Sequence, residues 1–164
     1  MNMGNFMRLL VCGVLLTAAL SLSQAAKADW QYTKWGMSPD QVVSASAGAV
    51  SRSTSSLEGP NGTALLASGT YAVVPGFIAE ASFGFTNGGL TAVQLKFPTD
   101  AKCYAIGIKL TEQYGRADDA VDLLVSTKKT WNDTASGNKV VFNRFSESCY
   151  LTYQPINFRP KSSL

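Results

Sequence analysis

The chain has 164 residues, with 14 lysines and arginines against 11 aspartates and glutamates, a formal net charge of +3, and no histidine. The missing histidine excludes Ser-His-Asp and Cys-His catalysis, the common histidine-based metal sites and the usual neutral-pH general base. The small charge excess gives no electrostatic case for nucleic acid or an anionic membrane as partner.

Residues 1–28 read as a secretory signal peptide. Arg8 and the amino terminus supply the positive region, Leu9 to Leu22 the apolar run, and Ala26-Lys27-Ala28 a small-x-small cleavage site before Asp29. The run is shorter than the roughly 20 residues that span a bilayer. Cys12 lies inside the run, where a lipid-modified cysteine would follow it, so a lipoprotein is not expected. Arg8 and Lys27 leave with the leader, and the mature chain is close to neutral. The expected localisation is periplasmic or secreted, with no transmembrane segment in the mature chain. The expected division is a signal peptide over 1–28, a single domain over 29–156 and a C-terminal tail over 157–164.

Asp29 to Trp35 reads as a strand with Trp30, Tyr32 and Trp35 as packing residues. Ser38 then opens a helix with a hydroxyl N-cap, Pro39 at the first position, Gln41 completing a capping box, and Met37 and Val42 spaced as a hydrophobic staple. It is expected to run to about Ala47 and stop at Gly48. Arg52 to Gly62 is rich in serine, glycine and proline and reads as a loop.

Short strands follow over Thr63–Ser68 and Thr70–Val74, the second ended by Pro75-Gly76. Phe77 to Thr86 alternates, with Ala79, Ala81, Phe83 and Phe85 on one face. Asn87-Gly88-Gly89 is a hairpin turn, and Leu90 to Phe97 returns with Val93, Leu95 and Phe97 inward. Thr99 or Asp100 caps a second helix whose face carries Cys103, Ile106, Gly107, Leu110 and Tyr114, ending at Gly115. Asp118 to Ser126 is ambiguous between a loop with a helical turn and a strand. Strands are expected over Thr127–Asn132, Lys139–Phe145 and Cys149–Gln154.

Helix followed by meander thus occurs twice in the reading. The expected fold class is α+β, with two helices packed on one face of an antiparallel sheet or two adjacent sheets, and the order suggests a helix-meander duplication. Cys103 lies on the inward helix face and Cys149 on the inward face of the last strand. In an oxidising compartment this pair is expected to form a disulfide. Closing a loop of about 47 residues would be worth roughly 4 kcal/mol at most.

The opening Trp35-Gly36-Met37-Ser38-Pro39-Asp40-Gln41-Val42 resembles the start of the mature domain in many small exported bacterial proteins of unknown function. The Tyr114-Gly115 helix end, the hairpin near Phe85 and the strand around Trp131 fit the same layout. More distantly, helix-then-meander units are similar to those of the β-lactamase inhibitory proteins and the small outer-membrane assembly lipoproteins. That resemblance implies a binding protein and not an enzyme. The paired helices ahead of each sheet in those proteins have no counterpart here, and no functional residue is carried over.

No catalytic or metal constellation stands out. Ser126 with Lys128 or Lys129 lacks a glycine elbow, and Asp118, Asp119 and Asp122 lack a calcium-loop spacing. Glu58 and Glu80 have nothing that pairs them across a cleft, and no phosphate-cradling glycine motif follows a strand. The chain is therefore expected not to be an enzyme and to carry no cofactor and no metal. Trp30, Trp35, Tyr71, Trp131 and Tyr153 are the candidate binding residues, through an aromatic-rich sheet face or edge. The expected function is an exported binding protein acting on another protein or an envelope component. The alternative is a carrier of a small apolar ligand held between helices and sheet.

Overall fold

A computed structural model describes residues 29–74 and 76–159. The expected signal peptide over 1–28, Pro75 and residues 160–164 of the expected tail lie outside the described residues.

The chain opens with a tight hairpin, β1 (Asp29–Trp30) and β2 (Thr33–Lys34), in place of one continuous strand. Gln31 takes a positive φ of 53° at its turn, and the Thr33 hydroxyl donates to the Trp30 carbonyl. Helix α1 (Pro39–Ala45) begins as its signals require. The Ser38 N–H donates to Gln41 Oε1 at 2.8 Å, and the Gln41 N–H donates to Ser38 Oγ at 3.3 Å. Four strands follow as a meander, β3 (Val50–Glu58), β4 (Ala64–Val74), β5 (Phe77–Thr86) and β6 (Gly89–Phe97). Helix α2 (Asp100–Tyr114) crosses over, and a second meander runs through β7 (Asp119–Leu123), β8 (Ser126–Asp133), β9 (Asn138–Phe145) and β10 (Cys149–Pro155).

All eight long strands form one antiparallel sheet in the order β3-β4-β5-β6-β10-β9-β8-β7. The last strands of the two meanders pair with each other at the centre, with Leu151 opposite Leu95 and Cys149 opposite Phe97. The expected α+β class is therefore corrected to mainly β. More than half of the described residues are in strands, and beside the sheet stand only the small hairpin, two helices and a short 3-10 turn.

The miss has a physical cause. Of the segment expected as a loop over Arg52–Gly62, only Gly59–Gly62 is one and Arg52–Glu58 belongs to β3, while the segment after Asp118, ambiguous between loop and strand, contains the strand β7. These strands are the two edges of the sheet. Each edge strand pairs on one side only, and every residue of β7 is exposed, so no apolar alternation betrays it. The two short strands expected between Thr63 and Val74 are a single strand of 11 residues, and α1 is only seven residues long.

The core lies between the helices and one face of the sheet. Its centre is Phe83, Val93, Leu95, Phe97, Val140 and Leu151, all essentially inaccessible. Cys103 on α2 and Cys149 on β10 form a disulfide, with Cα atoms 5.6 Å apart. Gly107 faces β9, where an added Cβ would lie 3.4 Å from the Phe142 ring, at ordinary van der Waals contact. The N-terminal segment is fastened to the first meander by a backbone pair, the Gly36 N–H to the Leu90 carbonyl at 2.9 Å and the Leu90 N–H to the Met37 carbonyl at 2.8 Å. No helix among the described residues is long and apolar enough to cross a membrane.

Candidate functional site

The five aromatic residues singled out by sequence lie on the helix side of the sheet and not on its open face. Trp30 is 5% exposed, and its ring lies 4.9 Å from Tyr71, 5.8 Å from Phe83 and 6.2 Å from Tyr153. Trp35 is buried, and its indole N–H donates to Asn138 Oδ1 at 3.0 Å, pinning the opening segment to the start of β9. Trp131 is buried under the end of α2 and donates to the Gly115 carbonyl at 3.0 Å. Thus Trp30, Tyr71 and Tyr153 come together, while Trp35 and Trp131 each anchor a different segment. Burial raises the phenol pKa values of Tyr32, Tyr71, Tyr114 and Tyr153 above the ordinary 10.0, most strongly at Tyr153.

The concavity with an apolar lining is elsewhere. A cleft of about 510 Å³ opens between α2 and the strands β7, β8 and β9. The helix contributes Tyr104, Ile108, Thr111 and Glu112, and the sheet contributes Phe142 as floor with Asp122, Thr127, Lys129 and Arg144 around it. Tyr104 and Ile108 are one helical turn apart and remain 63% and 44% exposed, although their neighbours Cys103 and Ile106 are buried. Thr127 and Arg144 continue the cleft into a depression beneath Leu123, Leu124 and Val125, the exposed tip between β7 and β8. Phe145, also exposed, borders that depression.

The shape follows from how much sheet the helix covers. Strands are about 4.8 Å apart and a helix with its side chains is about 10 Å wide. Helix α2 sits against β9 and is bonded to β10. That leaves the helix-side face of β7 exposed at Asp122 and the near end of β8 only half-buried at Thr127 and Lys129. Among the described residues, Glu112, Asp122, Lys129 and Arg144 around this cleft form no ion pair.

Sequence reasoning missed Tyr104, Ile108 and Leu123–Val125. A signal was present, since Tyr104 and Ile108 form a second apolar stripe beside the one ending at Tyr114, and Leu123-Leu124-Val125 is an apolar run beside a turn. The acidic cluster is dispersed by the fold. Asp118 accepts from the Asn132 N–H at 2.6 Å, while Asp119 and Asp122 point to opposite faces of β7. Among the described residues, no three acidic or cysteine side chains are grouped to hold a metal ion. Comparison of the chain with protein-family models, with curated proteins and with solved structures returned no match.

Proposed function

We propose that the chain is an exported, non-enzymatic binding module whose contact surface is the cleft between α2 and β7–β9, and that its occupant is an amphipathic helix of a partner protein. One observation carries the reading, the apolar-lined cleft left between α2 and the under-covered strands beside the exposed Tyr104 and Ile108. A helix laid there would pack on α2 and on the sheet together, restoring the two-layer closure that the other half of the molecule already has. Mixed charge around the cleft suits a helix bearing both signs on its flanks. Export rests on the leader and on the resemblance of the Trp35-Gly36-Met37 opening to small exported proteins. The aromatic core serves folding, and the absence of histidine supports a binding role over catalysis.

The test is Ile108→Asp paired with Tyr104→Ala, with a melting curve and recovery of bound protein from the native host. The expected variant melts within a few degrees of the parent and loses its partner. A variant that folds and keeps its partner contradicts the proposal. The second reading, a carrier of a small apolar ligand, draws on the same cleft, whose volume falls in the usual range for ligands. Native mass spectrometry separates the two, because a carrier retains a small mass that denaturation releases.

A further inference from the structure

The open face of the sheet holds a different kind of concavity, of about 430 Å³. Its floor is built from paired rows. Gln154 lies beside Lys139 and Lys139 beside Asn132; Thr152, Val141 and Thr130 form the next row; Asn143 and Lys128 form the third. The wall is the turn Pro60–Gly62 between β3 and β4. That turn folds over the sheet because β5 and β6 present Gly84 and Ala92 beneath it. A Cβ at Gly84 would come within 2.5 Å of Thr63 Oγ1, so any larger residue would lift the turn.

Asn61, at the tip of the turn, holds a left-handed backbone with φ 57°. Its amide donates to Gln154 Oε1 at 3.0 Å, a contact between residues 93 positions apart. Gln154 is 3% exposed, and its Nε2 has no acceptor among the described residues. An unpaired buried amide costs about 1–3 kcal/mol, and native folds rarely leave one without reason. The fold thus keeps the Gln154 oxygen engaged from one side and leaves its buried amide donor without a partner among the described residues, in a side chain that lines the polar concavity.

The surroundings define the complement. Amide and hydroxyl groups of Asn132, Asn143, Thr130 and Thr152 supply both donors and acceptors. Lys128 and Lys139 outnumber Asp119, and neither lysine is in an ion pair among the described residues. Tyr150 continues the third row past Asn143, just outside the lining of the concavity, with Phe145 6.0 Å away. A ligand matching this set has many hydroxyls, a carboxylate, and a flat apolar face to lay on an aromatic ring.

We propose that this concavity binds a short acidic oligosaccharide. Its carboxylate meets Lys128 and Lys139, its hydroxyls meet the threonines and asparagines, and Gln154 Nε2 donates to a ring or hydroxyl oxygen. The site is separate from the cleft beside α2, on the opposite face of the sheet, and stands or falls without it.

The experiment uses tri-galacturonic acid as probe and neutral maltotriose as reference, followed by calorimetry and by the side-chain amide resonances of Gln154 and Asn61. The expected result is saturable binding of the acidic sugar, at least about tenfold tighter than maltotriose. The Gln154 amide resonances should move with the same midpoint. Lys128→Gln combined with Lys139→Gln replaces two side chains at the surface of the site, and it should abolish the preference for the acidic sugar while the melting curve stays in place. The proposal is overturned by the absence of saturable binding up to about 10 mM, by equal affinity for maltotriose, or by a preference that survives loss of both lysines. In the first case a bound water satisfies the Gln154 donor and no sugar site exists.

Discussion

The two meanders are built from like parts in the same order, a helix and then four antiparallel strands, yet their helix-side faces end differently. Over β3–β6 the chain closes its own layer. The β1–β2 hairpin drives Trp30 among Tyr71, Phe83 and Tyr153, α1 buries Val42, and Gly36 is bonded to Leu90. Over β7–β10 only α2 is present; Tyr104 and Ile108 stay exposed along a cleft, and Leu124 and Val125 stay exposed at the neighbouring β7–β8 tip. Apolar surface is costly to leave in water, about 25 cal/mol for each Å². On the proposed reading, the half that is left more open carries the binding surface.

The contrast can be broken most forcefully in the sealed half. Trp30→Ala removes the ring at the centre of the aromatic cluster and is expected to cost about 3–5 kcal/mol, read by denaturant or thermal unfolding. This is a large part of the stability of an ordinary domain. A loss below about 1 kcal/mol would mean that the hairpin is not what closes this face.

Reduction of the disulfide comes next. Cys103 and Cys149 join α2 to the central strand β10, and opening the bond is expected to lower stability by about 2–4 kcal/mol and the melting temperature by several degrees. Melting curves that coincide with and without reductant would reject the bond's role in holding the helix.

Alkaline pH probes the same buried ring cluster by another route. Burial raises the Tyr153 pKa in the folded state above the unfolded 10.0. Its stabilising contribution is therefore complete below about pH 10 and is lost as pH rises from there toward the folded value. Tyr153→Phe should flatten the fall of stability above about pH 10. An unchanged alkaline limb would place the sensitive group elsewhere.

Substitutions in the open half should scarcely move stability. Ile108→Asp is expected within about 0.5 kcal/mol of the parent, because the side chain already faces water. Gly107→Ala should stabilise α2 by up to about 1 kcal/mol, because the added methyl meets Phe142 at ordinary contact distance and helix propensity improves. A loss of stability instead would show that the helix sits too tightly on β9 to admit a methyl.

The parts of this structure that were readable in sequence are those with one wet and one dry side. Phe77–Phe97 alternates on either side of one register irregularity at Gly84–Phe85 and folds as the hairpin that Asn87-Gly88-Gly89 announces, with positive φ at Asn87 and Gly88. The Ser38 capping box is formed by both of its hydrogen bonds. The disulfide followed from two inward faces read separately. The edges were not readable, because six of the nine residues of β3 are serine, threonine or arginine and nearly all of it is exposed, and β7 is exposed throughout. Pairing partners far along the chain decided those segments, and no local pattern carries that information.

The candidate site was harder still. Aromatic content pointed to Trp30, Trp35 and Trp131, but an indole fills a core as readily as it marks a surface, and here all three are buried. The cleft exists because one helix covers too few strands, which is a property of the topology and of no single residue. The polar concavity needs Asn61 and Gln154 brought together from opposite ends of the chain.

The most direct measurement is a photo-crosslinking scan in the native host, with the reactive side chain placed in turn at Tyr104, Ile108 and Leu124, and at Thr70 and Ser82 on the opposite face. The account predicts crosslinks to one and the same partner from Tyr104 and Ile108 in the cleft and from Leu124 at its neighbouring tip, and none to it from the other two. Crosslinks to that partner from Thr70 and Ser82, with Tyr104 and Ile108 silent, would contradict it.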